Sequence, residues 1–332
     1  YWIKIMSELN VLVLGGNGLV GSAVCRNLDV SPKVGKLIKS TREDTDLFSI
    51  EKTKKLISDV KPDVLINAAA KVGGIYANDT QRTSFIIDNL KINMNILESC
   101  IENNEIKILN LGSSCIYPLN ADNPINEKSI MSGTLEPTNS PYAMAKLSSI
   151  EIGDAMTKEY GHKIINLMPT NLYGPNDNFS ETTSHVIPGL ISRMYKSKMN
   201  NEETFEIWGT GDPLREFLYV DDLADAIEFI LDLDTEETLI NVGSGEEISI
   251  NDLATNIKEI IGYEGELTYD EEKPDGNPRK LLDSSLINSL GWESSTKLND
   301  GLSKTFDWYK DNKTYYNSLS KKDIIRRLGK KW

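Results

Sequence analysis

The chain has 332 residues, enough for one large domain or two modest ones, and sets 36 Lys and Arg against 50 Asp and Glu for a formal net charge of −14. A uniformly acidic surface repels nucleic-acid phosphates and anionic lipid, so neither is an expected partner; a small anionic ligand stays open wherever cations and helix N-termini gather. Hydrophobic residues make up 39% and no apolar run reaches the length of a membrane-spanning helix.

The opening YWIKIMSELN has neither a long apolar core nor a small-residue cleavage site, so it does not read as a secretory signal, and a cytosolic location is expected. Met6 is a candidate start, with Tyr1–Ile5 an extension. Cys25, Cys100 and Cys115 are odd in number and widely spaced, which argues against a disulfide framework. With only His162 and His185 beside them and no Cys-x-x-Cys pair, no metal site is expected.

In chain order, NVLVLGG (10–16), KLIKST (36–41), DVLINAAA (63–70), IKILNLGSS (106–114) and KIINLMP (163–169) read as buried parallel strands, apolar on both faces and ending in small residues or Pro. Helical patterns lie between them near 19–29, 49–60, 79–103 and 141–160. This alternation predicts an α/β protein built on a doubly wound parallel (Rossmann) sheet. The second half is less regular, with a strand at LINVGSG (239–245) and helices near 184–198, 220–232 and 250–262. It reads as a smaller C-terminal α/β substrate domain over the end of the sheet. The expected division is 6–171 for the nucleotide-binding domain with a return at about 215–243, then 172–214 and 244–315 for the substrate domain, and a basic tail over 316–332. That tail, ending SKKDIIRRLGKKW, reads as a solvated or surface-packed helix without an assigned role.

GGNGLVG (15–21) follows the first strand and opens a helix. Gly15 permits the tight turn, Gly18 lets backbone N–H groups approach a pyrophosphate, and Gly21 lets the helix pack closely on the strand. A glycine triplet alone is weak; the strand and helix around it make it a nucleotide loop. Arg42, just beyond the second strand, suits a ribose 2′-phosphate and so favours NADP, although Glu43 and Asp44 follow it. NSPYAMAK (139–146) has a helix-start signature, with Tyr142 and Lys146 four apart on one face. An amine beside a phenol favours phenolate and suits proton transfer at a carbinol oxygen. A surface Tyr and Lys at this spacing are common, but here they follow a glycine loop and a strand ending in Ser113-Ser114. Asp221 and Asp222 read as the first turn of the 220–232 helix, where carboxylates are favoured.

These features resemble the extended short-chain dehydrogenase/reductase superfamily. AAAKVGG (68–74), LGSSCIYP (111–118), GTLEPTNSPYAMAK (133–146), MPTNLYGPNDNF (168–179), SHVIPGL (184–190), WGTGDPLREFLYVDD (208–222) and KPDGNPRKLLD (273–283) together resemble the GDP-L-fucose synthase family, the GDP-4-keto-6-deoxymannose epimerase/reductases, from about Asn10 to about Trp308. The resemblance implies epimerisation of a sugar at C3 and C5 and NADPH-dependent reduction of the C4 ketone. It implies Tyr142, Lys146 and Ser113 at the ketone, with Cys115 removing the carbon-bound proton and His185 returning one on the other face. It places the cofactor against Gly15, Gly16, Asn17, Gly18, Leu19, Val20, Gly21, Arg42, Ala68, Ala69, Ala70, Leu111, Gly112, Ser113, Ser114, Tyr142, Lys146, Pro169, Thr170, Asn171, Leu172 and His185. Arg193 and Arg215 match substrate-binding positions and Lys280 aligns with a family lysine near the substrate diphosphate; Trp208 is suited to stack on a base or sugar, and Arg279 is a further cation. The family often carries a basic residue in the glycine loop, where this chain has Asn17, so NADP preference rests mainly on Arg42 and tolerance of NADH is expected. A homodimer through the Tyr/Lys helix is likewise implied. The rival readings are an enzyme on a related GDP-deoxyketosugar, a nucleotide-sugar 4-epimerase, and a nucleotide-binding regulatory protein on an inactive scaffold.

Overall fold

The computed structural model describes residues 8–273 and 275–318; the N-terminal extension, Met6 and the end of the basic tail lie outside them. The first unit alternates strand and helix through β1 (Leu9–Leu14), α1 (Leu19–Leu28), β2 (Val34–Ser40), α2 (Ile50–Val60), β3 (Val64–Asn67), α3 (Ile75–Thr80), α4 (Arg82–Cys100), β4 (Lys107–Leu111), α5 (Ser140–Tyr160) and β5 (Ile164–Pro169). The chain then runs through β6 (Asn171–Tyr173), α6 (Val186–Met199), β7 (Thr204–Trp208) and β8 (Leu214–Tyr219), and returns with α7 (Val220–Leu231) and β9 (Leu239–Val242). It ends with β10 (Glu247–Ser249), α8 (Ile250–Ile261), β11 (Glu266–Asp270), β12 (Arg279–Lys280), α9 (Ser285–Leu290) and α10 (Leu298–Ser318).

The main sheet has six parallel strands in the order β2-β1-β3-β4-β5-β9, reversing direction of growth at β1. Apart from the edge strand β2, its strands are largely apolar on both sides because both sides are covered. Val11, Val13, Ile66, Leu109, Ile165 and Leu167 pack on the α1/α7 side, and the alternate residues Leu12, Leu14, Leu65, Ile108 and Ile164 pack against α2, α4 and α5. Cys100 lies fully buried in the second layer and Cys25 packs against the first. His162 is buried in the α5–β5 connection, with Nε2 3.2 Å from the Ile101 carbonyl. Asp221 and Asp222 do open α7, where Asp221 pairs with Arg26 and Asp222 accepts from Ser295 and Thr296.

One row of the second layer is polar. Asn67, Asn110 and Asn166 are aligned cross-strand partners on β3, β4 and β5. Asn67 donates to Asn93 and Asn110, Asn110 donates to Asn166 and Ser149, and Asn166 donates to the Thr238 carbonyl. Asn67 also accepts from Ala69 N. The row therefore joins the loop after β3 to α5.

The second unit is a small sheet in the order β10-β8-β12, with β6 also on β8, beside a parallel β7–β11 pair. Tyr173, Phe179, Ile187, Phe205, Phe217, Ile257 and Phe306 form its core under α6, α8 and α10. The return to the main sheet begins with α7 at Val220; β8, expected within the return, is instead the central strand of the small sheet.

Candidate active site

Both sheets present their chemistry at one place. At the end of β1, Gly15 takes φ +79°, and its Cβ would stand 2.8 Å from the backbone of Ala68 and Ala69. A side chain at Gly21 would collide with the Gly15 carbonyl. Gly18 is the N-cap of α1 and brings no side chain to cap it, so the first-turn N–H groups stay available to an anion. Gly15 and Gly21 need glycine for the reasons the spacing implied, Gly18 leaves the helix end open, and the cradle fits a dinucleotide pyrophosphate.

Asn17 is exposed at the lip of the cradle, followed by Leu19 and Val20 in the first turn of α1. Ala68–Ala70 leave β3 alongside it, with Ala68 N bonded to the Leu14 carbonyl. Arg42 stands just past β2, where burial lowers its guanidinium pKa and the Asp88 carboxylate on α4 opposes the shift. Lys39 was not read from the sequence as a site residue, yet its stem lies against Gly16 and brings a second cation to the same end of the cradle. Pro169, Thr170, Asn171 and Leu172 span the step from β5 to β6, and Thr170 Oγ1 and Asn171 Nδ2 both donate to the Glu216 carbonyl.

The reactive groups meet where β4 ends. Leu111 and Gly112 lead into Ser113, which caps a 3-10 turn over Ser114–Ile116 by accepting from Cys115 N at 3.2 Å. Ser113 hydrogen-bonds the Tyr142 phenol, and Tyr142 also feels the Cys115 sulfur. Lys146, one turn after Tyr142 on α5, is buried and donates to the Leu111 carbonyl at 2.6 Å. Burial pulls its pKa down to about 8. The phenol shifts the other way from the sequence expectation: burial first, then Cys115, raise it above the usual tyrosine value. The reason is that the ammonium is spent on a backbone carbonyl and sits 5.8 Å from the ring centroid rather than on the phenol oxygen.

Two side chains reach Cys115 Sγ, Asn139 Nδ2 at 3.7 Å and Lys280 Nζ at 3.9 Å. Asn139 reads in the sequence as a helix cap and does hold that position on α5, but its side chain makes no capping bond. Glu136 holds the turn before the helix, its carboxylate accepting from Thr138 N and Asn139 N, while the Asn139 amide N–H turns to the sulfur. Lys280, which the resemblance puts near the substrate diphosphate, stands beside the thiol in the fold.

His185 is the N-cap residue of α6, again with no side-chain capping bond. Its ring is open to the cleft but crowded by protein, which lowers its pKa; a hydrogen bond with the Gly73 backbone opposes that shift. Gly74 lies so close to the Ser184 carbonyl that no side chain fits there. The segment after β3 thus seats the start of α6.

Arg193 and Trp208 come together, the guanidinium 4.5 Å from the indole and 5.1 Å from the Phe205 ring. Trp208 remains 45% exposed, a flat surface backed by a cation. Arg215 donates to the Leu214 and Asp275 carbonyls and is Lys280's cross-strand partner. Arg279 turns outward to Glu247 at 2.8 Å, so the expected extra cation is a surface ion pair.

Residues 11–243 match the model of the NAD dependent epimerase/dehydratase family. The chain belongs to that family. It is 48% identical to GDP-L-fucose synthase 1 of Arabidopsis thaliana over 91% of this chain and 93% of the relative. With the GDP-L-fucose synthase of Escherichia coli it shares 41% identity over 92% and 98% of the two chains. Among solved structures, an NADP-bound GDP-L-fucose synthetase from Naegleria fowleri superposes with a TM-score of 0.84 at 29% identity, covering 93% of this chain and 95% of the other. Family membership accounts for the six-stranded parallel sheet, the glycine cradle and the Tyr142/Lys146 helix as one inherited arrangement.

Proposed function

We propose that this enzyme converts GDP-4-keto-6-deoxy-D-mannose to GDP-L-fucose, epimerising C3 and C5 and then reducing the C4 ketone with NADPH. The observation that carries the reading is the convergence of a Ser–Tyr hydrogen-bonded donor pair and a thiol at the end of one strand. The names and identities of the relatives support the substrate.

C3 and C5 both flank the ketone, so removing a proton from either places charge on the C4 oxygen. Ser113 and Tyr142 donate to that oxygen, which lowers the cost of the enolate. Cys115 accepts the carbon-bound proton as thiolate and His185 returns one from the other face, inverting the centre. NADPH, when bound in the glycine cradle, supplies a hydride to C4. Tyr142 then protonates the oxygen, drawing on its hydrogen bond with Ser113 to stay aimed at it. Arg42 and Lys39 favour the 2′-phosphate of NADP, while Arg193, Trp208, Arg215 and Lys280 receive the GDP-sugar against the overall negative charge. In these terms the unit up to residue 171, with the return from Val220, binds cofactor, and 172–219 with 244–315 binds substrate.

The protein works in the cytoplasm as a homodimer. The α4/α5 pair supports the dimer, because Ile87, Met94 and Met144 stand 41–48% exposed on it.

The test is to supply GDP-4-keto-6-deoxymannose and NADPH in deuterated water. NADPH oxidation with deuterium at both C3 and C5 of the product is expected. Oxidation without label leaves a simple reductase on a related sugar, and label without oxidation leaves an isomerase.

A further inference from the structure

Glu216 has no place in the chemistry above, yet it is fully buried at the junction of the two units. Burying a carboxylate is costly unless each oxygen finds donors, and both do. Oε1 accepts from Gly245 N at 2.9 Å, on the loop leaving β9 of the main sheet. Oε2 accepts from Leu282 N at 3.0 Å, two residues beyond Lys280. Gly243 has no side chain, and a Cβ there would run into the carboxylate. On the neighbouring residue, Leu281 N donates to Asn123 Oδ1 at 2.7 Å. The segment leaving β12 is thus pinned by two consecutive backbone N–H groups on two side chains from different parts of the chain.

β12 is only two residues long, paired with Leu214 and Arg215 of β8. So short a strand has little ladder of its own to fix it. Its second residue is Lys280, whose Nζ reaches Cys115 Sγ.

We propose that Glu216, assisted by Asn123, is a positioning residue for proton transfer: the pair holds β12 so that the Lys280 ammonium faces Cys115 and stabilises the negative charge the sulfur carries before it takes the substrate proton. The proton moves from carbon to sulfur, and Lys280 keeps its own throughout. This rests on Cys115 as the base in the function proposed above. It also gives the substrate unit a hand in arming a group that belongs to the nucleotide unit. Ammonium and thiolate attract more strongly in a half-buried cleft than in water, so small displacements of β12 count.

The test pairs Glu216→Gln with Lys280→Met. The amide is nearly isosteric but turns an NH2 toward one of two N–H donors. The first readout needs no substrate: the rate at which iodoacetamide alkylates Cys115 at pH 7, followed by mass of the Cys115 peptide. Glu216→Gln and Lys280→Met are each expected to slow it at least fivefold, and the double variant no further than Lys280→Met alone. The second readout is deuterium uptake into GDP-4-keto-6-deoxymannose without NADPH, which should fall in parallel while NADPH binding changes less than twofold. Should Glu216→Gln fail to fold, Asn123→Ala removes the other clamp from an accessible loop and should reproduce the effect at two- to threefold. Alkylation at the wild-type rate in a folded Glu216→Gln or Asn123→Ala, or losses that multiply in the double variant, overturns the proposal. If the wild type takes up no deuterium at all, the proposed function fails, while the alkylation series still decides the positioning claim.

Discussion

The two proposed acid–base pairs of this site are built in opposite ways. Tyr142 and Lys146 share one turn of α5, and the helix alone sets their spacing. Cys115 and His185 come from a 3-10 turn after β4 and the cap of α6, and the groups around the thiol arrive from α5 and β12. The first pair is a local property of a helix; the second exists only when both units are in place. A site assembled this way has one half that tolerates movement between the units and another half that does not.

The sharpest way to separate them is Tyr142→Phe. NADPH oxidation should fall about 10²- to 10⁴-fold, the range for loss of a positioned acid, while deuterium uptake at C3 and C5 falls far less because Ser113 remains. Equal losses in stopped-flow oxidation and in NMR-detected uptake would merge the two halves into one. Cys115→Ser is the mirror experiment: uptake should drop about 10²-fold or more, with NADPH affinity by fluorescence within twofold of wild type.

The pH response should divide along the same line. Burial holds Lys146 at about 8, so its charge is lost as pH rises through that value. The basic limb of kcat/KM for reduction is therefore expected near pH 8, and Lys146→Arg should move it upward because a guanidinium stays charged. Stability should respond with the opposite sign: between about pH 8 and the lysine's ordinary 10.5 the unfolded chain binds the extra proton, so folding gains as pH rises across that window. The smallest effect concerns the cofactor end. Arg42→Ala should raise KM for NADPH about tenfold, a phosphate contact's worth, and leave NADH within twofold; Lys39 limits the loss.

What the sequence made legible follows the same division. The strands of the main sheet and the helices between them announce themselves by runs such as NVLVLGG and by the turn residues that end them, since every strand but the edge strand β2 is buried on both faces by local neighbours. The glycine cradle is legible because backbone conformation demands the residue type. The small sheet is not. β6, β10 and β12 have three, three and two residues, too short for any period, and they exist only by pairing with β8. α10 hides because LNDGLSKTFDWYK mixes a glycine and charges among its core residues Leu302, Phe306 and Tyr309. Asn139 belongs to a helix-start string and does hold the cap position, but nothing in that string announces its amide turning to sulfur, a contact made only by the fold. Lys280 could be placed near anions from its segment, but its approach to Cys115 depends on a fold contact 165 residues long in sequence.

The asparagine row across β3, β4 and β5 has a consequence for how the chain finds its native pairing. Parallel apolar strands such as VLIN, KILNL and IINLMP are nearly interchangeable, and sliding one past the next by a residue would still bury oil against oil. The amides forbid it. A one-residue slip would turn Asn110 to the α1/α7 side, away from Asn67, Asn166 and Ser149, and each stranded amide would cost about 1–3 kcal/mol. The row therefore works as a vernier for the sheet: only one alignment of the three strands closes every bond.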